Sequence, residues 1–202
     1  VTLTMPATGS VVNLGARTAS NDGTANGTID IPGLGTSDAL TLNINDSDTN
    51  SAYIITGVES LTLTSNNRGD GNAADGAVNT IGGALTMTPT FGTGTVTLTG
   101  AASLTLTGAL TAGTFNGSAF TGSLVMTAAT AATSIISSGS GNDTLFGSSA
   151  GDSLNAGTGT NIIEGLGGVD SVTLGAGVDT LRIFVAAANG VDRKLVSGFT
   201  VG

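Results

Sequence analysis

The sequence predicts an all-β chain: a right-handed parallel β-solenoid leading into a tighter β-roll. Three observations predict it. Segment after segment alternates an aliphatic residue with Thr or another polar one, as in VTLTM, ALTLNIN, ESLTLTS, TVTLTG and SLTLTG. That period of two marks a half-buried strand. No stretch sustains the apolar spacing of three and four that an amphipathic helix needs. Finally, residues 138–182 almost repeat themselves every nine residues, which is the signature of stacked, identical coils.

Composition sets the frame. Of 202 residues 39% are hydrophobic, but only 3% are aromatic and Trp is absent. A core must therefore be built from Leu, Val, Ile, Ala and Thr methyl groups, which suits thin regular layers. Charged residues make up 9% and the net charge is −9. That balance argues against nucleic acid as a partner, because phosphate binding needs clustered Lys and Arg, and favours cations. There is no Cys and no His. Disulfide and thiol chemistry are gone, and so are the usual general base and zinc ligand. No apolar run approaches the roughly 18 residues of a transmembrane segment. The opening VTLTMPATGS has neither a basic region nor an apolar core of a signal peptide. The chain begins and ends mid-pattern, so we expect it to be part of a longer protein.

Residues 1–39 read as a β-rich N-terminal segment to which no architecture is assigned. Residues 40–137 read as a Thr/Ala/Gly-rich β-solenoid. Leu63, Leu85, Leu106, Met126, Leu145, Ile163 and Leu181 follow one another at steps of 22, 21, 20, 19, 18 and 18. Val96, Phe115, Ile136, Leu154 and Val172 fall near the midpoints. A period of about 20 suggests a coil that adds strands beside the previous coil. An antiparallel sandwich, with strands about every 8–12 residues, is the alternative. Residues 138–182 form the strict repeat, and residues 183–202 the start of a post-repeat strand or cap.

In nines, that repeat reads SGSGNDTLF, GSSAGDSLN, AGTGTNIIE, GLGGVDSVT, LGAGVDTLR. Position six holds Asp143, Asp152, Asn161, Asp170 and Asp179. Position eight holds Leu145, Leu154, Ile163, Val172 and Leu181. Positions seven to nine form a short strand with the aliphatic residue inward. Positions one to six form a turn, where Gly139, Gly141, Gly157, Gly159, Gly168, Gly175 and Gly177 allow tight backbone and converging carbonyls. Two nonapeptides make one coil, so turns 18 residues apart stack about 4.8 Å apart. This places Asp143, Asn161 and Asp179 on one edge and Asp152 and Asp170 on the other. Carboxylates that close repel by about 1 kcal/mol in water and more at lower dielectric. A divalent cation reverses the sign, and carboxylate plus carbonyl oxygens suit Ca²⁺. The spacing predicts up to three sites, 143/161, 161/179 and 152/170. The all-carboxylate 152/170 pair is expected to bind tightest, although Ser148 and Ala150 stand there where Gly is preferred.

The template G-G-x-G-x-D-x-U-x is that of the RTX nonapeptide, so residues 138–182 resemble the RTX repeats of proteins exported by bacterial type I secretion. GVESLTLTS (57–65), GAASLTLTG (100–108) and the run from Gly113 to Leu145 extend the likeness. Together they resemble RTX-type bacterial surface-layer (S-layer) proteins such as that of Caulobacter. VDRKLVSGFTVG (191–202) is similar to the segment that follows RTX repeats, with Arg193 and Lys194 as unusual insertions. The resemblance implies a calcium-binding RTX β-roll, an extracellular, cell-surface location, Ca²⁺-dependent folding and self-association into an array. It also implies a contact with cell-surface polysaccharide through parts outside this chain, and a secretion signal beyond Gly202. An RTX adhesin or matrix fibre is the alternative. A second alternative is the non-catalytic calcium-binding domain of a type I secreted enzyme.

No catalytic constellation is found. Ser and Thr abound without His or a suitably placed Lys to activate them. Glu59 and Glu164 are far apart in sequence. The chain is therefore expected not to be an enzyme. Asp46, Asp48 and Asn50 mimic the start of an EF-hand loop, but Ser51 stands where Gly is needed and Gly57 where Glu is needed. RGD at Arg68–Asp70 reads as a polar loop. Asp22, Asp30, Asp70 and Asp75 are further acids that nothing singles out.

Overall fold

A computed structural model describes residues 2–4, 10–14, 27–30, 37–45, 48–49, 52–66, 78–89, 93–128, 134–183 and 193–198. Asp46, Asn50, the RGD tripeptide, Asp22 and Asp75 lie outside the described residues, as do most of residues 1–39. Every described strand pairing is parallel, which removes the antiparallel alternative. No helix occurs among the described residues. The fold is a parallel β-solenoid whose nonapeptide repeats form a β-roll.

Three sheets build it. The first runs β1 (Thr2–Thr4), β3 (Gly27–Asp30), β6 (Tyr53–Thr56), β9 (Leu85–Thr88) and β12 (Leu110–Thr111). The second runs β2 (Ser10–Leu14), β4 (Ala39–Asn45), β7 (Ser60–Asn66), β10 (Thr95–Gly100), β13 (Thr114–Asn116), β15 (Ile135–Ser137), β17 (Ser153–Asn155), β19 (Val169–Thr173) and β21 (Arg193–Ser197). The third runs β5 (Asp48–Thr49), β8 (Val78–Ile81), β11 (Ser103–Leu106), β14 (Leu124–Thr127), β16 (Thr144–Ser148), β18 (Ile162–Leu166) and β20 (Thr180–Arg182). The first sheet ends with a single bridge from Leu110 to Ala128. Upstream of that bridge the solenoid is three-sided; downstream, coils alternate between the second and third sheets only.

This corrects part of the expected ladder. Met126, Leu145, Ile163 and Leu181 stack in that order on the third sheet. Val96, Phe115, Ile136, Leu154 and Val172 stack on the second. Leu63, however, lies on the second sheet beside Leu42 and Leu98, and Leu85 on the first beside Tyr53 and Leu110. The reason is the extra side of the coil. Leu63, Leu85 and Leu106 fall on the second, first and third sheets in turn, so the steps of 22 and 21 residues between them do not return to the same side.

The core is one continuous stack along the interior. In β7 the alternation buries Leu61, Leu63 and Ser65 and leaves the intervening Thr residues half-buried. Each fully buried Leu or Ile contributes about 1.5–3 kcal/mol. The two largest fully buried side chains, Phe115 and Phe120, lie just before the change from three sides to two. One polar brace sits inside the upstream part. Asn79 Nδ2 donates to Ile44 O (3.2 Å), Ser65 Oγ (2.8 Å) and Asn66 O (3.3 Å). Ser65 Oγ in turn donates to Ala102 O at 2.8 Å.

Candidate metal centre

The five turns of the repeat connect the short strands of the two-sided part. On one edge, turns 138–143, 156–161 and 174–179 stack; on the other, turns 147–152 and 165–170. The structure thus brings Asp143, Asn161 and Asp179 into one column and Asp152 and Asp170 into another. Asp143, Asp152, Asn161 and Asp170 are buried, and Asp179 is half-buried.

Within a column the side chains are not simply face to face. Each accepts a hydrogen bond from the backbone amide one coil back. Leu124 N donates to Asp143 Oδ1 (2.8 Å), Asp143 N to Asn161 Oδ1 (2.8 Å), and Asn161 N to Asp179 Oδ1 (3.0 Å). On the other edge Ser134 N donates to Asp152 Oδ1 and Asp152 N to Asp170 Oδ1, both at 2.8 Å. One oxygen per side chain thus helps hold coil on coil, while the second carboxylate oxygen takes no part in this ladder. Asn161 has no second oxygen; its Nδ2 donates to Asp179 Oδ1 at 2.9 Å.

The second oxygens differ. Asp152 Oδ2 accepts from Ser148 N at 2.6 Å. Asp170 Oδ2 meets the Lys194 ammonium at 2.6 Å. Asp143 Oδ2 is buried with no partner at hydrogen-bonding geometry. Burial pushes the Asp143 carboxyl above its usual range, while the Ser138 hydroxyl and the Leu124 and Gly139 amides act against that rise. A buried carboxylate oxygen without a donor is the group that a bound cation would satisfy.

The glycines supply the close approach. A Cβ on Gly157 would collide with the Gly139 carbonyl, and one on Gly175 with the Gly157 carbonyl. The second glycine row behaves alike: Gly159 abuts the Gly141 carbonyl and Gly177 the Gly159 carbonyl. Gly139 and Gly141 abut the Phe120 and Gly122 carbonyls, and Gly168 the Ala150 carbonyl. Turn carbonyls are thus aimed along the stack, toward the next coil. Among the described residues no three acidic side chains cluster. A cation here would draw on carboxylate oxygens and backbone carbonyls, the hard donors of Ca²⁺.

Two residues escaped the sequence reading. Leu166 takes a left-handed backbone, φ 60°, at a template position meant for Gly. Lys194 stacks on Asp170 in the register of β19 and β21. The insertion of Arg193 and Lys194 is visible in the sequence; its phase is not.

Residues 130–161 and 146–181 match the model of the RTX calcium-binding nonapeptide repeat, in four copies. The chain therefore carries RTX repeats over that span, and such repeats bind Ca²⁺. No curated protein and no solved structure matches the chain.

Proposed function

We propose that this chain is part of an RTX-type S-layer subunit, a structural and non-catalytic protein. Ca²⁺ closes its turns outside the cell, and the folded solenoids then associate into an array at the cell surface. Asp143, Asp152, Asn161, Asp170 and Asp179, with the turn glycines, form the metal-responsive edges. The observation that carries the reading is the join. A long aliphatic solenoid runs without interruption of its second and third sheets into calcium-binding coils. Ca²⁺ there extends a continuous wall, and the terminal coils carry exposed Val169, Val178, Ile183 and Leu195. Exposed apolar side chains favour association with further copies. When bound, Ca²⁺ supplies the positive charge that lets buried carboxylates stay ionised. Scarce cytosolic Ca²⁺ keeps the chain exportable; millimolar Ca²⁺ outside stabilises it by mass action.

The test is circular dichroism of the purified chain titrated with Ca²⁺ against Mg²⁺, followed by electron microscopy of the same samples. The expected result is strand signal that grows with Ca²⁺ and sheets or ordered arrays on the grid. A chain that folds with Ca²⁺ yet stays monomeric at high concentration overturns the S-layer assignment. It leaves the adhesin and enzyme-appendage readings.

A further inference from the structure

On the edge formed by turns 147–152 and 165–170, the column of side chains runs Asp152, Asp170 and then Lys194. The first step is 18 residues and the last is 24. The longer final coil brings a lysine to the position where each earlier coil places an acid. Lysine has no acceptor, so it cannot continue the ladder of amide-to-carboxylate bonds. Its ammonium instead turns back into the preceding turn. It lies 2.6 Å from Asp170 Oδ2 and donates to Leu166 O at 3.0 Å. The two side chains are 3% and 0% exposed. Leu166 is the one described non-glycine residue with positive φ. A carboxylate oxygen and a turn carbonyl held by a left-handed residue are the donor types that the turns offer to Ca²⁺.

We propose that the Lys194 ammonium is a tethered cation that fills the terminal cation position at Asp170 and ends the calcium ladder on this edge. The inference rests on the calcium-binding reading of the turns, not on the S-layer reading. An ammonium neutralises the carboxylate whether Ca²⁺ is present or absent. The contact of β19 with β21 therefore needs no metal of its own, and this edge takes one Ca²⁺ fewer than its turns could hold. The opposite edge has no such residue in its described column: no cationic side chain among the described residues reaches Asp143 Oδ2.

The experiment counts bound Ca²⁺ by equilibrium dialysis for the wild-type chain and for Lys194→Gln. Amine acetylation is followed in parallel by mass spectrometry. Lys194 is the chain's only lysine, so its labelling is read without interference. The expected result is one more Ca²⁺ per chain in Lys194→Gln, and slow labelling of wild-type Lys194 at saturating Ca²⁺. Equal Ca²⁺ counts would overturn the proposal. So would fast labelling of Lys194 once Ca²⁺ is added, because the metal would then be displacing the ammonium. Should Lys194→Gln not fold, labelling of the wild type decides alone. A wild-type chain that binds no Ca²⁺ removes the calcium reading and this inference together; one that binds Ca²⁺ while the variant gains none removes only the role of Lys194.

Discussion

Upstream of residue 128 each coil turns three corners; downstream of residue 134 it turns two. The three-sided coils close around apolar columns on every side, as with Leu42, Leu63 and Leu98 on the second sheet, Tyr53, Leu85 and Leu110 on the first, and Ile81 and Leu106 on the third. The two-sided coils have lost the first sheet and its column. In its place stand six-residue turns rich in glycine, with inward carboxylates and carbonyls aimed along the stack. One region is held by apolar burial. The other gives up part of that burial for polar turns that a cation can complete. The difference assigns the calcium response to one end of a continuous solenoid.

Removing calcium is the strongest way to break this comparison. A site at a hundredfold excess over its Kd adds about 2.7 kcal/mol, so amides in the two-sided coils should exchange about a hundredfold faster per lost site. The probes are Ile162 N, bonded to Asp143 O, and Ser171 N, bonded to Asp152 O, both at 2.8 Å. Thr95 N, bonded to Glu59 O at 2.9 Å, reports the three-sided part and should not change. Equal acceleration at all three amides, measured by hydrogen exchange, would mean that the solenoid is one cooperative unit and that the division is wrong.

Matched glycine substitutions sharpen the same contrast. Gly177 (φ 133°) and Gly100 (φ 110°) are both left-handed, and a Cβ on either would strike the backbone of the previous coil. Each change to Ala should cost about 3 kcal/mol or more, from strain plus overpacking. Their consequences should differ. Gly177→Ala sits in a metal turn and is expected to lower the number of Ca²⁺ bound. Gly100→Ala, in the three-sided part, is expected to lower the melting temperature while the count stays unchanged, because solenoid coils contact only their neighbours. Loss of calcium in both variants would show long-range coupling instead.

How much of this was legible depends on phase. Residues 138–182 contain no insertion, so the column of Asp143, Asn161 and Asp179 could be read by counting eighteens, and the stack of Leu145, Ile163 and Leu181 followed. The third side was hidden because its last strand is two residues long, Leu110–Thr111. A 19-residue step such as Val96 to Phe115 fits two strands with wide turns as well as three short strands. Lys194 was hidden for the opposite reason: a 24-residue coil shifts its phase, so counting from Asp170 does not reach it. The amide-to-carboxylate bonds were invisible to spacing altogether, since they depend on which way Asp143 and Asp170 point.

The smallest expected effect concerns one buried carboxyl and tests whether the polar turns oppose folding without metal. Burial raises the Asp143 carboxyl above its usual value of 3.8. The stability linked to a raised carboxyl is fully present below its unfolded pKa and is lost as pH rises through the folded value. In calcium-free buffer the fold should therefore gain stability as pH falls from 7 toward 4. Asp143→Asn keeps an oxygen for the Leu124 amide but carries no charge. It should melt higher than the wild type at pH 7 without calcium, by a few degrees, and the gap should close on acidification. With saturating Ca²⁺ the order should reverse, because the variant lacks the anionic oxygen and the cation would be held less tightly. Thermal melts of both chains at two pH values, with and without Ca²⁺, make the check. If the variant melts lower in calcium-free buffer too, Asp143 is a structural acceptor, and its partnerless oxygen carries no argument for a cation.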